Sequence, residues 1–185
     1  MKKIAIIYHS GYGHTEYFAN HVLEGAGGVK GVEVVKLGVD EASKNVESLT
    51  RYDGLVFGSP TYMGNVSGPF KTFMDATSGL WMKGALRDKW AAGFTVSGSP
   101  SGDKFNTLVT LATFAAQHNM LWVSAGVPIE VYAGVKPEEA ANRLGSFLGA
   151  MAQAGNVPPA EAFVPGDLKT ARLFGERFAK VVAAR

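Results

Sequence analysis

What most constrains this chain is a rhythm: a short apolar run, a turn rich in Gly and Ser, then a segment with apolar residues three or four apart. Lys3 to His9 ends in Ser10-Gly11-Tyr12-Gly13, the pattern of a buried strand running into a turn. Thr15 to Gly25 follows with Phe18, Val22 and Leu23 at helical spacing, and Thr15 suits a cap or first-turn position. Val32 to Leu37 reads as a second strand, and Asp53 to Gly58 as a third, stopped by Ser59-Pro60. Ser67-Gly68-Pro69 opens a helix whose inner face is Phe70, Phe73, Met74 and Thr77. Lys89 to Val96 is the fourth strand, Leu108 to Met120 a helix, and Leu121 to Ser124 a short fifth strand. A last helix from about Asp167 to Ala184 carries Leu168, Ala171, Phe174, Phe178 and Val181. Strands that alternate with helices are joined by crossovers, so an α/β fold with a mainly parallel sheet is expected. Val127 to Val164 breaks the rhythm. Pro137 to Ala154 has helical character interrupted by Gly145, Gly149 and Gly155, so a long, partly helical excursion is expected there.

Composition removes several classes of function. The chain has 185 residues, a length that fits one domain over 1–185. Without a cysteine it can form no disulfide framework, thiolate metal site, iron–sulfur cluster or cysteine nucleophile. The net charge is +2 with no run of like charge, which argues against nucleic acid as a partner. The apolar run near the start, Ile4 to Tyr8, is shorter than the ~7–15 residues of a signal-peptide core. No apolar stretch approaches the ~18 residues of a membrane span. A soluble, cytoplasmic protein is expected. Only 18% of residues are charged, below the ~25% of an average domain, as suits a surface partly covered by a second subunit. No Gly-x-Ser-x-Gly elbow occurs, and no His and carboxylate cluster has metal-ligand spacing.

Three strands end in small, polar, Gly-rich turns: Ser10–Thr15, Ser59–Gly64 and Ser97–Gly102. Ligands of open α/β sheets bind beyond the carboxyl ends of the strands, so these turns converge on one candidate site. The first turn enters a helix directly. Unpaired N–H groups and the positive end of the helix dipole therefore face it, with Ser10 and Thr15 adding hydroxyls, which makes a phosphate cradle. No Lys or Arg sits in it, and the Gly-Lys-Ser/Thr of a P-loop is missing. Gly11 and Gly13 supply two glycines of a dinucleotide fingerprint, but Glu16 stands at the third, and Glu33 lies at the wrong end of strand two for a ribose acid.

Ser10-x-Tyr12-Gly13-His14-Thr15 resembles the phosphate loop of flavodoxin-like proteins. Pro60-Thr61-Tyr62-Met63-Gly64-Asn65 with Ser67-Gly68 is similar to the first flavin-ring loop of the WrbA-type NAD(P)H:quinone oxidoreductases. Gly79-Leu80-Trp81, Gly84-Ala85-Leu86, Lys89 through Ser99 and His118-Asn119-Met120 match the same family in order. The resemblance implies a flavodoxin-like three-layer sandwich with a five-stranded parallel sheet of order 2-1-3-4-5. It implies FMN as cofactor, held by Ser10, Gly11, Tyr12, Gly13, His14 and Thr15 at its phosphate. Its ring would be lined by Pro60, Thr61, Tyr62, Met63 and Gly64, and by Ser97, Gly98, Ser99, Pro100, Ser101 and Gly102. His118 would lie at the flavin edge, and Trp81 would wall the substrate pocket from a neighbouring subunit of a dimer or tetramer. NAD(P)H would be the co-substrate and a quinone or similar small acceptor the partner. The chain departs from the family in Tyr62-Met63, where Arg-Phe is usual, and in Pro100-Ser101, which interrupts a Gly-rich run.

Two other readings stand beside this one: an electron-transfer flavodoxin without enzymatic activity, and an NAD(P)H-dependent FMN or azo reductase. Shuttle flavodoxins resemble one another in strong acidity, and a chain at +2 lacks that field.

Overall fold

The apolar runs form the centre of a parallel sheet in the computed structural model, which describes residues 1–184. β1 (Lys2–Tyr8) lies between β2 (Val32–Gly38) and β3 (Gly54–Tyr62), with Ile4 beside Val34 on one edge and Gly54 on the other. β5 (Trp90–Ser97) continues the sheet on the far side of β3, with Val56 beside Ala92. Ile4 to Ile7 are fully buried, as strands covered on both faces must be.

The expected order holds, with its fifth place divided. β6 (Leu121–Trp122) pairs with the start of β5, and β7 (Ala150–Gln153) pairs with its end, Phe94 beside Ala150 and Ser97 beside Gln153. Residues 123–149 are therefore an excursion between two pieces of one edge strand. β3 also overruns its expected stop at Ser59-Pro60. Its end folds into a hairpin with β4 (Asn65–Val66), in which Tyr62 faces Asn65. Met63 and Gly64 form the two-residue turn at φ 47° and 79°, the left-handed pair that a type I′ hairpin requires.

The expected helix within Pro137–Ala154 is not formed. A one-turn 3-10 helix (Glu130–Ala133) precedes a series of turns and then β7. Buried Asn142, itself left-handed at φ 48°, organises them. Its Nδ2 donates to the Val127 and Ser146 carbonyls, and its Oδ1 accepts the Ser146 N–H at 2.8 Å. These bonds compete with a helical ladder and replace it.

Side chains alternate across the strands, so each face has its own core. Ile4, Ile6, Val56 and Phe94 pack under α1 (His14–Gly27) and α6 (Pro165–Ala183), against Phe18, Val22, Phe174 and Phe178. Ala5, Ile7, Leu55 and Phe57 face α3 (Gly68–Ala76), α4 (Ser78–Met82) and α5 (Lys104–Gln117), with α2 (Val39–Lys44) on the same side. α1 and α6 cross so closely that a Cβ on Gly175 would overlap the Val22 carbonyl. Among the described residues no helix is long and apolar enough to cross a membrane.

Candidate cofactor-binding site

The loops that follow β1, β3, β5 and β7 meet at the carboxyl edge of the sheet around a cleft of about 410 Å³. Ser10, Tyr12, His14 and Thr15 line it from the first loop, Pro60 and Tyr62 from the second, and Ser97 and Gly98 from the third. The fourth wall, Ala154, Gly155 and Asn156, was not among the sequence candidates. Its signal was a turn-rich run, Gly155 to Pro159, which becomes a site loop only once Ala150–Gln153 is known to be a strand. His14 ties the first and fourth loops together, its Nε2 lying 2.8 Å from the Val157 carbonyl oxygen.

The first loop leads into α1 through Gly13 at φ 86°, where a Cβ would also stand 2.9 Å from Pro159. Only glycine takes both the left-handed turn and the close approach without cost. Ser10, three residues ahead, accepts the Glu16 N–H on its Oγ at 3.1 Å, so its own hydroxyl proton stays free to donate. Among the described residues, the N–H groups of Gly11 to Thr15 meet no acceptor inside the chain, and neither does the buried Thr15 hydroxyl. The cleft is thus a ring of donors at a helix N-terminus, with no Lys or Arg lining it. Glu16, in the first turn, would oppose an anion, but it is neutralised. Lys36 bonds it at 2.9 Å and the Tyr8 hydroxyl at 2.7 Å, and these bonds hold its carboxyl below the usual range. That donor set fits the phosphate of FMN.

The second loop is held from below. Thr61 turns its Oγ1 inward, 2.8 Å from the hydroxyls of both Thr95 and Thr107, and Asn106 Nδ2 donates to the Gly64 carbonyl at 2.7 Å. Thr61 and Gly64 thus contribute backbone rather than side chains, and Met63 is fully exposed at the tip. Tyr12 and Tyr62 meet edge to face at 6.4 Å over the cleft mouth. Ser99, Pro100, Ser101 and Gly102 continue the third loop on the surface beyond Gly98. A flat ring between the second and third loops would find backbone donors on either side.

The structure does not bring His118 or Trp81 to this cleft. Both line a second cavity of about 500 Å³ with Met74, Thr77 and Phe114. α5 starts beside the cleft, where Thr107 meets Thr61, and the eleven residues on to His118 carry the chain roughly 16 Å away. His118 therefore cannot reach the flavin edge of its own cleft. Its Nε2 lies 2.9 Å from the Thr77 hydroxyl, its Nδ1 is buried without a partner, and burial pushes its pKa down.

Residues 36–133 match the family described as NADPH-dependent FMN reductase. The chain belongs to this FMN-binding, flavodoxin-like family. It is 39% identical over 183 residues to Flavodoxin FldP of Pseudomonas aeruginosa (strain UCBPP-PA14), covering 98% of this chain and 97% of that one. Its fold is similar to that of the flavodoxin, WrbA-like protein from Agrobacterium tumefaciens, with a TM-score of 0.76 and 37% identity over 98% of each chain. A flavodoxin from the domain Archaea shares the fold at 19% identity and a TM-score of 0.67, over 97% of this chain and 98% of that one.

Proposed function

We propose that this protein is an FMN-dependent NAD(P)H:quinone oxidoreductase. The overall reaction takes NAD(P)H, a quinone and a proton to NAD(P)⁺ and the quinol, a transfer of two electrons. Bound FMN would supply the two-electron relay between the two substrates. The residues of the chain bind and orient. Gly11 to Thr15 hold the phosphate through N–H groups and the hydroxyls of Ser10 and Thr15, while Thr61–Gly64 and Ser97–Gly102 flank the ring.

The observation that carries this reading is the open aromatic shelf at the cleft mouth. Tyr12 is 78% exposed and Tyr62 38% exposed, side by side above the phosphate loop. Nicotinamide and quinone are planar rings, and such rings pack favourably on aromatic side chains. A protein-docking shuttle would instead need a strong field of one sign, which a chain at +2 does not have.

Trp81 and His118 enter this reading through a second copy of the chain. Trp81 and Val109 are large exposed apolar groups lining the second cavity, Met82 and Phe105 are exposed on the same two helices, and a homo-oligomer would cover such groups. In a dimer or tetramer that face would complete a neighbour's cleft, with Trp81 walling the acceptor pocket and the buried His118 supporting that wall through its bond to Thr77.

The test is anaerobic stopped-flow absorbance of the FMN-loaded protein mixed with NADH or NADPH, followed by benzoquinone. The reading requires rapid bleaching of the oxidised flavin band by one nucleotide and its return with quinone. If FMN binds but neither nucleotide bleaches it, the electron-transfer reading replaces this one, in keeping with the flavodoxin name of the 39% identical relative. If FMN does not bind, the site itself has been misread.

A further inference from the structure

Lys104 opens α5 directly after the third cleft loop, and its side chain is completely buried. Three things oppose an ammonium there. It stands at the first position of a 14-residue helix, where the dipole repels a cation. It has lost its water. Among the described residues, no carboxylate lies within 4.0 Å of it to form an ion pair. Its hydrogen bond goes to the Ser99 carbonyl, one residue beyond the cleft-lining Gly98. An apolar residue would fill the same space at lower cost, and local choices that work against the fold gather at functional sites.

A chain of hydrogen bonds beside it ties the third loop to β7 and α6. Gly98 offers its carbonyl to Gln153 Nε2 at 3.1 Å, and Gln153 Oε1 accepts from Arg143 at 3.2 Å. Arg143 grips Asp167 through two bonds of 2.8 and 3.0 Å, and Asp167 also accepts the Gln153 N–H at 2.9 Å. The charged groups facing Lys104 are Asp167 from α6 and Arg143 from the turns before β7. The loop above it, Ser97 to Gly102, and the β7 strand carry no charged side chain, and the carboxylate of Asp103, the next residue, lies beside Gly64 of the second loop. Asp167 is already matched by Arg143, so the Lys104 charge is left directed at the loop.

We propose that Lys104 is a positioning residue that presents a buried positive charge to the ring side of the cleft, so that the protein binds reduced, anionic FMN in preference to oxidised FMN. This rests on the FMN reading above. A cation near the ring nitrogens favours the form in which they carry negative charge, and low dielectric strengthens the effect. Desolvation lowers the Lys104 pKa to about 8, with Asp167 raising it and Arg143 lowering it further. The charge is therefore present at neutral pH and lost just above it.

The experiment is a spectroelectrochemical titration of bound FMN from pH 6.5 to 9.5 in the wild type, Lys104→Met and Lys104→Arg, with the dissociation constant of oxidised FMN measured in parallel. At pH 7, Lys104→Met should lose about tenfold in the ratio of reduced to oxidised affinity, a fall of about 30 mV in the two-electron potential. Above pH 8 the wild-type potential should fall by an additional ~30 mV per pH unit, the mark of one more proton taken up on reduction. Lys104→Met should lack that bend. Lys104→Arg should keep the wild-type potential at pH 7 and also lack the bend. A lysine that merely fastens the loop would weaken both oxidation states equally, so coincident potentials of wild type and Lys104→Met overturn the proposal. Should Lys104→Met not fold, superimposable curves for wild type and Lys104→Arg overturn it equally. Failure of the wild type to bind FMN removes the cofactor reading along with it; normal binding with coincident potentials removes this inference alone.

Discussion

Replacing Thr15 by Val separates the phosphate role of the first loop from its role in folding. The side chain is 2% exposed and lines the cleft, and its hydroxyl has no partner inside the chain. Valine has nearly the same shape, so the free protein loses no internal hydrogen bond, and its stability should change by less than about 0.5 kcal/mol. The phosphate of FMN would lose one bond to a charged group, worth about 1.5–3 kcal/mol. FMN affinity should then fall by a factor of about 10 to 150. Fluorescence titration of FMN into the apo-protein reads the affinity, and thermal melting of the same samples reads the stability. Ser10→Ala provides the contrast. Its Oγ caps the Glu16 N–H as well as facing the cleft, so it should lower stability by about 1 kcal/mol and FMN affinity together. An unchanged dissociation constant for Thr15→Val, in a protein that melts normally, would refute the phosphate assignment.

Gly175→Ala should destabilise by about 2–3 kcal/mol, a drop of about 5–10 °C in melting temperature, because the new methyl group meets the Val22 backbone where α1 and α6 touch; an unchanged melt would mean that this crossing is loose. Arg143→Met should cost about 3 kcal/mol by leaving the 1% exposed Asp167 without its cation, and a cycle with Asp167→Asn measured in urea should show a coupling of about 2 kcal/mol. Lys104 gives the stability a pH dependence. The unfolded chain keeps this proton up to the ordinary lysine pKa of 10.5, the folded chain only to about 8. Between those values the unfolded state binds more protons, so stability should rise with pH, by up to about 3 kcal/mol. Lys104→Met should flatten that rise in urea melts taken at pH 7.5 and 10.

Local patterning carried much of the fold and three of the four cleft walls in the sequence alone. Ile4 to Ile7 and Leu55 to Phe57 are uninterrupted apolar runs, and Ala91 to Val96 is broken only by Gly93 and Thr95, because strands covered on both faces must bury every side chain. Gly and Ser after each run mark where the chain turns over the sheet edge, so Ser10–Thr15, Pro60–Tyr62 and Ser97–Gly98 could be found before any contact was known. What depended on distant partners could not be read locally. Ala150–Gln153 lacks β-branched residues and is a strand only because the exposed edge of β5 offers it hydrogen bonds. Its absence from the sequence reading hid the fourth wall of the cleft, and buried Asn142 turned a helix-like stretch into loops. The separation of His118 from the cleft comes from the length of α5, and the burial of Lys104 from packing that also brings Asp167 of α6 and Arg143 near it. Periodicity reports which face of an element is apolar. Which element covers that face, and what charge is trapped beneath it, is decided only when the chain packs.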